Sequence, residues 1–73
     1  MSDIDNIYYV LKKNTNGEYL LNGKNNIIMK SDNYNACTVK FIDSVINKKT
    51  KSDIFILCSK QVNSKYIQIL CER

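Results

Sequence analysis

Residues 52–67 read SDIFILCSKQVNSKYI and residues 5–20 read DNIYYVLKKNTNGEYL, and these two stretches align without a gap. Each opens with β-branched and aromatic residues, meets a cluster of turn-forming residues, and then resumes an apolar pattern. Asn16 of the first stretch aligns with Asn63 of the second inside that turn. This arrangement is typical of a β-hairpin. The stretches therefore predict two hairpins, and their likeness is compatible with an ancient duplication.

The hairpins supply four predicted strands, and the sequence between them supplies a fifth. The first hairpin joins residues 7–13 to 18–21 through NTNG, and the second joins 54–60 to 65–72 through QVNS. A second turn at Asn22–Gly23 precedes a short strand over residues 26–30.

A helix is predicted between the hairpins. From Tyr34 to about Lys48 the apolar residues recur at helical spacing, after candidate N-caps at residues 31–33. The alternative is a strand over residues 37–42, because CTVKFI is rich in β-forming residues. The helix is favoured because Val45 and Ile46 continue the 3.6-residue period.

The element order β-β-β-α-β-β predicts an α+β fold in one domain spanning residues 1–73. A mostly antiparallel sheet, made of two hairpins and a short strand, would pack on one α-helix. A chain of this length buries only about 60% of its unfolded surface, so its stability is marginal unless a partner covers it. The predicted core residues are Phe41, Val45, Ile54, Ile56 and Ile69.

Alternation along the strands sorts the side chains onto two faces of the sheet. One face, which includes Ile7, Leu11 and Ile56, is wholly apolar and is expected to lie under the helix. The opposite face, called the aromatic face below, is also too apolar for water. Its aromatic members are Tyr8, Tyr19, Phe55 and Tyr66.

Three explanations compete for the aromatic face. The sheet curls and buries it, a protein covers it by self-association or as a different partner, or single-stranded nucleic acid stacks on it. A net charge of +4 is compatible with phosphate binding. The single arginine disfavours it, because arginine makes the bidentate phosphate contacts. The candidate phosphate-binding lysines are Lys12, Lys13, Lys48, Lys49 and Lys51.

A resemblance bears on the nucleic-acid alternative. The stretch IYYVLKKNTNGEYLL (residues 7–21), followed by a helix containing FID (residues 41–43), resembles the PUR-repeat pattern of single-stranded nucleic-acid binders. The resemblance covers at most about two-thirds of the chain. A fourth strand before the helix and a helix behind the closing hairpin are missing, so the chain is not assigned to that family.

Reactive constellations are absent from the sequence. The chain has no histidine and no glycine-rich phosphate loop, and its three cysteines, Cys37, Cys58 and Cys71, lack the paired spacing of a zinc site. We expect no enzymatic activity, no cofactor and no metal, with the cysteines reduced and structural in a cytoplasmic setting. The longest apolar run is residues 54–58, so no membrane partner is expected.

The functional expectation is a small non-enzymatic binding protein. Its partner, a host protein or a second copy, would cover the aromatic face at Tyr8, Tyr19, Phe55 and Tyr66, with Lys12, Lys48, Lys49 and Lys51 nearby. Isoleucine, lysine and asparagine each occur ten times, which indicates an A+T-rich genome. A phage, viral or mobile-element factor that inhibits a host protein fits this composition. The alternative is a single-stranded DNA or RNA-binding domain.

Overall fold

The computed structural model describes residues 5–13 and 27–73 of the chain. It confirms an α+β fold, with one helix packed on a four-stranded antiparallel sheet of order β2-β1-β3-β4. The strand predicted over residues 18–21 lies outside the described residues. In chain order the elements are β1 (Asn6–Lys12), β2 (Ile27–Ser31), α1 (Tyr34–Ile46), β3 (Phe55–Gln61) and β4 (Ile67–Glu72).

Helix α1 begins and ends at asparagine caps. The Asn33 side chain accepts a hydrogen bond from the Ala36 backbone N–H at 3.1 Å, which satisfies one of the free donors of the first turn. At the other end, the backbone N–H of Asn47 donates to the Asp43 carbonyl at 3.0 Å. The helix over residues 37–42 is therefore confirmed, and the alternative strand is wrong.

The two central strands carry a buried layer on each face of the sheet. Val10 lies opposite Leu57, and Leu11 lies opposite Ile56. Opposed residues share a face and neighbours along a strand point to opposite faces, so these two pairs mark the two sides. All four side chains are buried. The sheet is consequently packed on both sides at its centre.

Helix α1 covers the face that carries Val10 and Leu57. Its buried residues Cys37 and Phe41 pack in one cluster with these two side chains and with Phe55. The prediction that the helix covers the face of Ile7, Leu11 and Ile56 is wrong. Both faces are apolar, so alternation separates them without saying which one meets the helix. The cluster on the opposite face consists of Tyr9, Leu11, Ile56 and Cys58, with Ile7 and Ile27 packed against it.

The second hairpin is confirmed, but its register differs from the predicted one. Lys60 lies opposite Ile67 rather than Lys65, because the loop is longer than the four residues predicted. The pairing is irregular between Leu57 and Cys58, where Leu70 has no opposite residue. This bulge places Cys71 opposite Leu57, on the helix side of the sheet.

The predicted core is confirmed in part. Phe41 and Ile56 are buried, whereas Val45 and Ile54 are half-buried. The prediction for Ile69 is wrong, because its side chain is 50% exposed. Ile69 belongs to β4, the last of the described strands, where only one neighbouring strand shields it.

Candidate interaction surface

The aromatic face lies under helix α1. Phe55 is only 6% exposed, and Tyr8 is half-buried against the same cluster. Neither ring is therefore available as a flat, open platform for a base or a protein partner. Of the other predicted aromatic residues, Tyr66 is exposed and Tyr19 lies outside the described residues.

Tyr8 is held by contacts from the first turns of α1. Its ring meets the ring of Tyr34 edge to face, with 5.3 Å between the centroids. The Cys37 thiol donates a weak hydrogen bond of 3.5 Å to the Tyr8 backbone carbonyl. These contacts give Tyr8 a packing role in joining the helix to β1.

The predicted basic residues lie at one end of the sheet and are interleaved with acids. The Lys12 ammonium is 3.7 Å from the Asp53 carboxylate, and the Lys48 ammonium donates to the Asp53 carbonyl at 3.4 Å. Lys49 and Lys51 are exposed in the loop between α1 and β3. The surface of this end therefore carries mixed charge.

Tyr66 and the lysine loop lie at opposite ends of β3. The loop precedes Phe55, whereas Tyr66 follows the turn beyond Gln61. A strand of 7 residues spans roughly 20 Å at the usual rise per residue. The exposed tyrosine and the predicted phosphate-binding loop are thus too far apart to hold one nucleotide between them.

One apolar surface that remains open lies between α1 and β4. The helix contacts β1, β2 and β3, and within the described part of the chain it makes no close backbone approach to β4. A groove of about 480 Å³ separates the two elements. Leu57 and Cys71 line the groove from the sheet, and Arg73 lies at its end. We call this feature the α1–β4 groove.

One stripe of α1 forms the helical wall of this groove. The wall residues Tyr34, Thr38, Ile42 and Ile46 are spaced by four, so they lie on one side of the helix. The Thr38 hydroxyl donates to the Tyr34 carbonyl at 2.9 Å, which satisfies its polar group within the helix. Ile42 lines the groove and is 50% exposed. The wall is therefore largely apolar and open to water.

The geometry of the sheet explains why this groove exists. Four strands spaced about 4.8 Å apart make a sheet wider than one helix, whose diameter with side chains is about 10–12 Å. A helix centred on β1 must leave an outer strand uncovered. The difference in width between a four-stranded sheet and one helix, together with the apolar residues Ile42 and Ile46 on the helix, is the signal from which the groove could have been predicted.

Two of the three cysteines are buried in surroundings that disfavour the thiolate form. Cys37 and Cys58 are buried, and burial raises the pKa of both thiols, that of Cys58 to about 11. The neighbouring Cys37 adds to the rise at Cys58. Both thiols are therefore protonated at neutral pH and are poor nucleophiles. Among residues 5–13 and 27–73, no group of three or more metal-ligating side chains is close enough to hold an ion.

Comparisons with known proteins add no relative to these observations. No family model matches the chain, and no curated protein or solved structure is significantly similar to it. In the described part of the chain, the one helix is too short and too polar to cross a membrane.

Proposed function

We propose that this chain is a small non-enzymatic binding protein whose protein partner occupies the α1–β4 groove. The observation that carries the proposal is the open apolar wall of α1 facing the uncovered strand β4. We propose this groove rather than the aromatic face as the partner surface, because Tyr8 and Phe55 pack beneath the helix.

The chemistry of the groove favours a segment of protein with apolar side chains. Ile42 and Ile46 present branched aliphatic groups, and Tyr34 presents a rigid ring at one end. An apolar segment that replaced water here would gain free energy in proportion to the area buried. Arg73 at the end of the groove would favour a carboxylate on the partner.

The side chains available for catalysis also support a binding role rather than an enzymatic one. It has no histidine, and the buried thiols Cys37 and Cys58 have raised pKa values. The composition supports the further proposal of a phage, viral or mobile-element factor that modulates a host protein or complex, since such factors are often small and come from A+T-rich genomes.

The test is capture of partners from cells of the source by the tagged chain, with and without nuclease. The variants Ile42→Lys and Ile46→Lys place a charge in the groove at exposed positions, so the fold should tolerate them. The matched control is Val39→Lys, because Val39 is on the same helix, is 67% exposed and lies outside the groove.

We expect wild type and Val39→Lys to capture the same protein, and both groove variants to lose it. Retention by Ile42→Lys and Ile46→Lys, with an unchanged far-ultraviolet spectrum, would contradict the proposal. Capture that disappears with nuclease and falls steeply with salt would instead favour the nucleic-acid alternative, since phosphate contacts depend strongly on ionic strength.

A further inference from the structure

Strand β4 is an edge strand of the described sheet and carries exposed apolar side chains. It is the last strand of the order β2-β1-β3-β4, and no described residue pairs with its outer side. Ile67 is 37% exposed and Ile69 is 50% exposed, and both lie on the face away from α1. An exposed edge of this kind is a template for pairing with another chain.

Natural edge strands are usually protected by inward-pointing charges, proline or a bulge. Residues 67–70 of β4 read IQIL and contain neither a charge nor a proline. The bulge at Leu70 interrupts the pairing only towards the end of the strand, which leaves Ile67, Gln68 and Ile69 in regular register with β3. The unprotected part is therefore a regular, three-residue edge with a polar centre.

We infer that two copies of this chain pair antiparallel through β4, with the two-fold axis at Gln68. In an antiparallel pair related by such an axis, Gln68 lies opposite the partner's Gln68. Ile67 then lies opposite the partner's Ile69, and Ile69 lies opposite the partner's Ile67. Opposed residues point to the same face, so the four isoleucines form one apolar cluster on the side away from both helices.

The flanking residues support a second copy as the occupant of this edge. Tyr66 is exposed and comes opposite the partner's bulged Leu70, which is also exposed. The next residue, Lys65, falls opposite the partner's Cys71, so this register brings no like charges together. The edge is therefore complementary to itself in polarity, with apolar residues opposite apolar residues and Gln68 opposite Gln68.

The dimer is independent of the partner proposed for the α1–β4 groove. The isoleucine cluster lies on the face away from α1, whereas the groove lies on the helix side. The two α1–β4 grooves would lie on the same side of the joined sheet, one on each side of the two-fold axis. A variant at Ile69 therefore tests the dimer and leaves the groove unchanged.

The experiment measures the mass of the protein in solution across a range of concentrations. We expect wild type to approach twice the 8.5 kDa of one chain. Ile69→Lys should weaken dimerisation by at least about ten-fold, because it places two ammonium groups in the apolar cluster. The control Val62→Lys adds the same charge at an exposed turn residue outside the pairing, and should leave the dimer intact.

A cross-link checks the register and does not depend on the folding of the lysine variant. Directly opposed residues in an antiparallel pair have Cα atoms about 4.5–5.5 Å apart, a distance that a disulfide can span. Gln68→Cys should therefore form a covalent dimer under mild oxidation, whereas Asn63→Cys and wild type should not. A wild type that stays monomeric at every concentration overturns the inference. A dimer that survives Ile69→Lys and does not cross-link through residue 68 overturns it as well.

Discussion

Ile56 and Leu57 are neighbours in β3 that test whether both faces of the sheet are packed. The Ile56 side chain is fully buried on the face away from α1, and Leu57 is buried under the helix. A sheet with one packed face would make only one of these residues important for stability. The structure predicts that truncation of either residue to alanine is severely destabilising.

The magnitude follows from burial. Truncation of a buried isoleucine or leucine to alanine costs about 2–5 kcal/mol, the sum of lost transfer energy and the cavity left behind. At 0.05–0.15 kcal/mol per residue, a chain of this length has a total free energy of unfolding of about 4–11 kcal/mol. Ile56→Ala and Leu57→Ala should each remove a large part of it. The half-exposed Val62 lies in the turn between β3 and β4, outside both proposed interfaces, and provides a control, so Val62→Ala should cost about 1 kcal/mol or less.

The measurement is urea unfolding followed by far-ultraviolet circular dichroism, at a protein concentration held constant across the variants. The midpoints of Ile56→Ala and Leu57→Ala should fall well below that of Val62→Ala, with similar slopes. If either variant is unfolded in water, Ile56→Val, which should cost about 0.5–1.5 kcal/mol, gives the same comparison. A midpoint for Ile56→Ala no lower than that of Val62→Ala would refute a packed layer on the face away from the helix.

Two further predictions concern the cysteine pair and the helix cap. Because the pKa of the Cys58 thiol rises from 9.0 to about 11 on folding, the unfolded chain ionises first, and up to about 2–3 kcal/mol of stability should be lost between pH 9 and 11. Urea unfolding across this range should show a smaller loss for Cys58→Ala. Asn33→Ala removes the acceptor of the Ala36 N–H and should lower the free energy of unfolding by about 0.5–2 kcal/mol, whereas Asn35→Ala, inside the first turn, should change it less.

The local elements were predictable because each has a strong local signal. Asn33 and the apolar spacing beyond it predicted α1, and the pattern around residues 61–66 predicted the second hairpin. The details of register were not predictable. A bulge such as that at Leu70 depends on how the sheet twists, and it moves Cys71 to the other face without changing the apolar pattern.

The location of the candidate site depends on which face of the sheet the helix covers, and the sequence does not determine that face. Val10 and Leu11 are both apolar, as are Ile56 and Leu57, so either face of the central strands would accept the apolar side of α1. The predicted aromatic face was consequently assigned to a partner, whereas it lies under the helix. Which strand stays uncovered depends on where the helix crosses the sheet, and this is a property of tertiary packing.

An A+T-rich genome raises a competing explanation for exposed isoleucine, since codon bias alone would place isoleucine on surfaces. Codon bias acts on each position separately and predicts isoleucines scattered over the surface. The exposed aliphatic residues of α1 and β4 are not scattered in this way. Ile42 and Ile46 follow the groove wall at a spacing of four, and Ile67 and Ile69 follow one face of β4 on the other side of the sheet, so each set forms an ordered patch of its own. The lysine variants at Val39 and Val62 therefore measure the effect of replacing an exposed apolar residue outside both proposed interfaces. A larger loss of partner binding with Ile42→Lys, or of dimerisation with Ile69→Lys, would show that these isoleucines serve binding and do not merely reflect codon bias.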